Sequence, residues 1–116
     1  MAYLNINEFQ DVIFRESINW KFGQIPILIK LTLSSIKIRI YLTSNSFIDS
    51  FFNETTGHTS FALIKDNQRI LGINNTGNSW HIHPFDNPAI HKPIRQEVDY
   101  KKFLKVIENL IKENKI

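Results

Sequence analysis

The chain has 116 residues, a size suited to a single domain spanning 1–116, and its 42% hydrophobic and 22% charged content excludes a globally disordered polymer. It contains no cysteine, which excludes disulfides, thiolate metal sites and a cysteine nucleophile, while a net charge of +3 suits an acidic partner without reaching the density of a dedicated nucleic-acid tail. The longest apolar stretch, 25–33, holds Pro26 and Lys30 and is too short to span a bilayer, and no basic segment followed by an apolar one opens the chain, so the expectation is a soluble, cytoplasmic protein with no membrane partner.

In chain order, Phe9, Val12, Ile13 and Glu16 recur at helical spacing and predict a first helix over 7–18, with Asn7 as its N-cap. Gly23 and Pro26 end that pattern. Two strands are predicted at 27–33 and 36–42, joined through Ser34-Ser35. The second alternates cleanly, with Ile36, Ile38, Ile40 and Leu42 on one face and Lys37, Arg39 and Tyr41 on the other. Residues 46–53 read as a short strand or an aromatic loop. Phe61-Ala62-Leu63-Ile64 and Arg69-Ile70-Leu71-Gly72-Ile73 flank Lys65-Asp66-Asn67-Gln68, a hairpin connection. A polar loop at 74–79 leads to a last strand at 80–83. Phe103, Ile107, Leu110 and Ile111 then form the apolar stripe of a helix over 100–114, with Asp99 as its N-cap. These elements predict an α+β fold: an antiparallel sheet of four to six strands with an N-terminal and a C-terminal helix packed on one face.

Three of the four histidines lie in Trp80-His81-Ile82-His83-Pro84-Phe85-Asp86-Asn87-Pro88-Ala89-Ile90-His91-Lys92-Pro93, a segment stiffened by prolines. Strand alternation turns Trp80 and Ile82 to the core and His81 and His83 to the open face of the sheet, the face to which Lys37, Arg39 and Tyr41 belong. Such a cationic, aromatic and imidazole-bearing surface suits a phosphodiester backbone, with Lys37, Arg39 and Tyr41 as nucleic-acid-binding residues.

Three readings compete for the histidines. In one, a pair drawn from His81, His83 and His91 serves as general base and general acid in metal-independent RNA cleavage, with Arg39 or Arg69 stabilising the charge on phosphorus. In the second, His81, His83 and His91, with Asp86, hold zinc or another divalent ion for a hydrolase. In the third the histidines are structural or merely exposed, and the protein is a non-catalytic module that binds nucleic acid or protein. His58 reads as a loop residue beside Gly57, with a place near the histidine segment as the alternative, and Arg69 by default as an exposed residue after a turn. The lysines at 101, 102, 105, 112 and 115 read as a solvated helix face, since Glu97, Glu108 and Glu113 are interspersed. No Gly-rich phosphate loop, G-x-S-x-G elbow, H-E-x-x-H or dinucleotide fingerprint is present, which argues against a nucleotide cofactor.

Residues 60–94 resemble the TumE-like toxins of toxin–antitoxin pairs. The resemblance rests on Arg69-Ile70-Leu71-Gly72-Ile73-Asn74-Asn75, on Trp80-His81-Ile82-His83-Pro84-Phe85 and on Pro88-Ala89-Ile90-His91-Lys92-Pro93, followed by an amphipathic helix. The family tends to show a Pro-His-His run where this chain has H-x-H and a separate His91. The resemblance implies a growth-inhibiting toxin acting on RNA and neutralised by a small helix-turn-helix antitoxin, with Arg69, His81, His83 and His91 as its site residues. A homo-oligomer is compatible with it.

Overall fold

A computed structural model describes residues 3, 5–76, 79–85, 87 and 89–116. Helix α1 (Ile6–Ile18) is followed by strands β1 (Ile27–Leu31), β2 (Ser35–Thr43), β3 (Ser46–Asn53), β4 (Thr59–Lys65), β5 (Gln68–Asn74), β6 (Trp80–His83) and β7 (Lys92–Ile94), and then by helix α2 (Tyr100–Lys112). Among the described residues the strands form one antiparallel sheet in sequence order, β1 to β7. The α+β expectation therefore holds, with seven strands in place of four to six. The added strand is β7, which Pro93 hides from a reading of β propensity. Proline is tolerated there because β7 is an edge strand and has no outer neighbour to which it must donate.

Alternation explains the sheet. In β2, β3 and β4 alternate residues are buried, and Ile36, Ile38, Ile40, Ile48, Phe52, Phe61 and Leu63 turn toward the helices. Phe61 is the centre of that layer. Its ring stacks on Phe9 of α1 at 6.3 Å and meets Tyr100 at 5.5 Å and Phe103 at 5.6 Å, both from α2. One buried polar link ties the two helices, Ser17 Oγ to Tyr100 Oη at 2.9 Å. The Tyr100 N–H donates to Tyr3 Oη at 3.0 Å, and burial pushes the Tyr3 phenol up to about 12.

The helix ends follow local chemistry. Asp99 caps α2 as expected, accepting from the Lys102 N–H at 2.8 Å. The α1 cap is Asn5 and not Asn7: Asn5 has extended backbone and its Oδ1 accepts from the Glu8 N–H at 2.8 Å, whereas Asn7 already lies inside the helix. On α2, Glu108 accepts from Lys112 and Lys105, which hold its carboxyl down at about 2, while its other oxygen receives Trp20 Nε1 at 3.3 Å.

Two turns differ from their expected form. The β4–β5 turn is the two-residue Asp66-Asn67, with φ of 52° and 64°, a left-handed pair that Asp and Asn adopt at low cost. The first strand stops at Leu31, because Thr32 turns the chain: its N–H donates to the Ser35 carbonyl and its hydroxyl accepts from the Ser35 N–H. The two sheet edges are unlike. β7 is three residues long and holds Pro93, whereas β1 is exposed along its length with Ile27, Leu28, Ile29 and Leu31. No described helix is long and apolar enough to cross a membrane.

Candidate functional site

Cross-strand register defines the face away from the helices. One row runs Arg39, Asp49, Ala62, Gly72, His83, and a neighbouring row runs Lys37, Phe51, Ser60, Asn74, His81, Pro93. His81 and His83 thus lie on the open face, as alternation predicts, while Trp80 and Ile82 pack against the core.

The third imidazole is placed by β7. After His83, a reversal carries hydrogen bonds from the Asn87 N–H to the Pro84 carbonyl and from the Ile90 N–H to the Asn87 carbonyl. Pairing of Trp80 with Ile94, His81 with Pro93 and Ile82 with Lys92 brings residue 91 beside residue 83. The His91 ring stacks on His81 at 4.0 Å and 27° and on His83 at 4.8 Å and 23°. Asp86 and Pro88 lie outside the described residues.

Arg69 joins them through a bulge. Leu63 pairs with Leu71, but the next residue, Ile64, pairs with Arg69, so Ile70 is an extra residue in β5. Unbroken alternation from the buried Leu71 would turn Arg69 toward the helices. The bulge sends Ile70 to pack against the core and Arg69 to the open face. There its stem crosses Gly72: a Cβ on Gly72 would lie 3.0 Å from Arg69 Cδ. The guanidinium ends 3.3 Å from Nδ1 of His83, the cross-strand partner of Gly72. Arginine can only donate, so His83 Nδ1 accepts and the ring proton sits on Nε2.

His81 Nδ1 is buried without a hydrogen-bond partner, leaving Nε2 as the nitrogen available for proton exchange. His91 is held below the ordinary imidazole value, first because stacking strips water from its ring and then because His81, His83 and Arg69 oppose a further positive charge. The site therefore presents a neutral imidazole, a ring with a directed N–H and a guanidinium in contact with that ring within one short stretch of the sheet.

This arrangement does not suit a metal ion. Ring lone pairs lie in the ring planes, and the nearly parallel planes of His91 and its two neighbours do not converge on one point. Among the described residues no group of three His, Asp or Glu side chains is set to hold an ion.

The other sequence-derived residues share the face but not the cluster. Four strand spacings separate β2 from β6, about 19 Å. Arg39 makes a bidentate pair with Asp49 at 2.7 and 3.0 Å and lies 3.9 Å over the Phe47 ring, against which Tyr41 also packs. The Asp49 carboxylate pushes the Arg39 guanidinium further up, so its charge is already compensated. His58 lies against Phe51 at 5.5 Å, with Nε2 3.3 Å from Thr76 Oγ1. Gly72 escaped the sequence reading. Its signal is a glycine inside a strand pattern, which marks a close approach.

Comparison of the chain with protein-family models, with curated proteins and with solved structures yields no match.

The Gly72 contact gives a direct check of Arg69. Gly72→Val places a branched side chain where the Arg69 stem lies. It is expected to displace the guanidinium from His83 and to lower any activity of the cluster by about 10²-fold, the scale of losing one charge-stabilising donor. The melting temperature should stay close to that of the parent, because the displaced group is the flexible end of an exposed side chain. Thermal melts and activity measured on the same preparation separate the two effects.

Proposed function

We propose that the protein is a toxin-like, metal-independent endoribonuclease acting in the cytoplasm, with the His81, His83, His91 and Arg69 cluster as its active site. The observation that carries this reading is the stacking of His91 on both strand histidines beside a guanidinium that reaches His83. In the proposed reaction His91, neutral at physiological pH, takes the proton of an RNA 2′-hydroxyl. The 2′-oxygen forms a bond to phosphorus as the bond from phosphorus to the 5′-oxygen breaks, leaving a 2′,3′-cyclic phosphate. Arg69 leaves His83 Nδ1 to stabilise the charge on the phosphoryl oxygens, Nδ1 takes up a solvent proton, and the resulting imidazolium delivers its Nε2 proton to the departing 5′-oxygen and ends as the neutral ring. His81 supplies the floor on which His91 is stacked.

The resemblance of residues 60–94 to TumE-like toxins supports the toxin setting and a small helix-turn-helix antitoxin as partner. A growth-arrest assay on expression, relieved by such a partner, tests that setting.

The chemistry is tested with end-labelled RNA. Cleavage is expected to continue in the presence of a chelator and to yield cyclic phosphate and 5′-hydroxyl ends. Products with 5′-phosphate ends, or salt-sensitive binding without turnover, would overturn it. The pH dependence carries a sign. A base must be deprotonated to act, so kcat/KM should fall as pH falls through the His91 value. Because that value lies below the ordinary imidazole value of about 6.5, the acid limb should be displaced to lower pH. An acid limb at or above the ordinary value would remove His91 from the role of base.

A further inference from the structure

On the same open face as the imidazole cluster, but several strands away, lies a groove of about 360 Å³ lined by Lys30, Lys37, Phe51, His58, Ser60 and Ala62, among others. Lys30 of β1 and Lys37 of β2 are direct cross-strand partners. Like charges in that position repel, and among the described residues neither lysine pairs with a carboxylate. Asp49 also borders the groove, but both its oxygens are taken by Arg39. A bound anion would relieve this repulsion. Beside the lysines, Phe51 is the partner of Lys37 on β3, and the tilted rings of Phe51 and His58 stand 5.5 Å apart. His58 is held from behind by Thr76 Oγ1 at 3.3 Å and through its backbone N–H by Thr56 Oγ1 at 3.1 Å. The floor between these groups is small, Ser60 and Ala62, so a flat ring has room to lie against the aromatic pair.

We infer that this groove binds one nucleotide of single-stranded RNA, its base stacked on Phe51 with the tilted His58 ring against its edge, and its phosphate between Lys30 and Lys37. The inference rests on the reading of RNA as the substrate and adds to it a subsite apart from the reacting bond. Phe51 and His81 belong to the same cross-strand row, separated by Ser60 and Asn74. Three strand spacings put them about 14 Å apart, a distance that a short stretch of extended strand bridges. Stacking tolerates any base, because every base presents a π face, so the subsite supplies affinity and register with little sequence preference.

The test uses the full chain and a fluorescently labelled RNA oligonucleotide whose 2′-hydroxyls are methylated, which removes the nucleophile and separates binding from cleavage. Fluorescence anisotropy should report binding that weakens about tenfold or more in Phe51→Ala, the range of base–aromatic stacking. His58→Ala should weaken it to a smaller extent. Lys37→Ala should weaken binding and flatten its salt dependence. An oligonucleotide with abasic sites should bind the parent chain as weakly as the intact one binds Phe51→Ala. His58 and Lys37 lie outside the core, so their variants keep the test decisive if Phe51→Ala melts early. No binding by the parent chain, equal binding of abasic and intact oligonucleotides, or parent-like binding by both His58→Ala and Lys37→Ala would overturn the inference. Cleavage of unmodified RNA is measured separately. Cleavage without dependence on Phe51 and His58 rejects the groove alone, and Phe51-dependent binding without cleavage supports the groove while rejecting the nuclease chemistry.

Discussion

His91→Ala is expected to lower RNA cleavage by about 10²–10⁴-fold, the contribution of a positioned general base, with no change in melting temperature. The side chain is exposed and its loss removes nothing from the core. What it removes is the ring that stacks on both His81 and His83. A stacked ring that only holds its neighbours needs no ring nitrogen, and His91→Phe separates that role from proton transfer. Phenylalanine keeps a flat ring against the two strand histidines but cannot take a proton. If His91 is the base, His91→Phe is as inactive as His91→Ala. Activity retained in the phenylalanine variant and lost in the alanine variant would make His91 a positioning residue and move the base to His81 or His83. The readout is the single-turnover rate on end-labelled RNA, with circular dichroism of each variant as the check on folding.

Phe61→Ala is expected to cost about 3–5 kcal/mol of stability, the usual range for deleting a buried aromatic ring. The position is fully buried and its ring is the meeting point of Phe9, Tyr100 and Phe103, so it joins the sheet to both helices. Collapse into the space left is restricted because those neighbours belong to two separate helices, each held in place by its own packing on the sheet. Against a total of about 5–15 kcal/mol for a domain, the loss is a large share of the folding free energy, and urea denaturation should show a lower midpoint. A cost below about 1 kcal/mol would place the centre of the core elsewhere. Phe61→Ala and His91→Ala form a contrasting pair: the first acts on stability through the helix-covered face, the second on chemistry at the opposite face.

Much of this was legible from local pattern. The alternation in 36–42 and at 80–83 follows directly from a period of two, and it correctly separated Trp80 and Ile82 from His81 and His83. The amphipathic stripe of α2 and its Asp99 cap were legible for the same reason: each depends on residues within a few positions of one another. The Asn5 cap was missed because Asn5 and Asn7 both qualify by residue type, and only the backbone at Asn5, extended just before the first helical turn, distinguishes them.

The candidate site needed more than period. His91 reaches the strand histidines because β7 pairs with β6, a strand that Pro93 conceals and that only the free outer edge of the sheet permits. Arg69 reaches His83 because a one-residue bulge at Ile70 inverts its side and Gly72 leaves a path across β5. Neither is fixed by neighbours in the chain, since each depends on which residue of another strand lies opposite. By itself the sequence determined the elements, the faces of the strands and two of the three clustered imidazoles, because these follow from local periodicity. Only the tertiary structure decided that the third imidazole and the guanidinium join them, because register between strands is a long-range property set by burial of one whole face of the sheet.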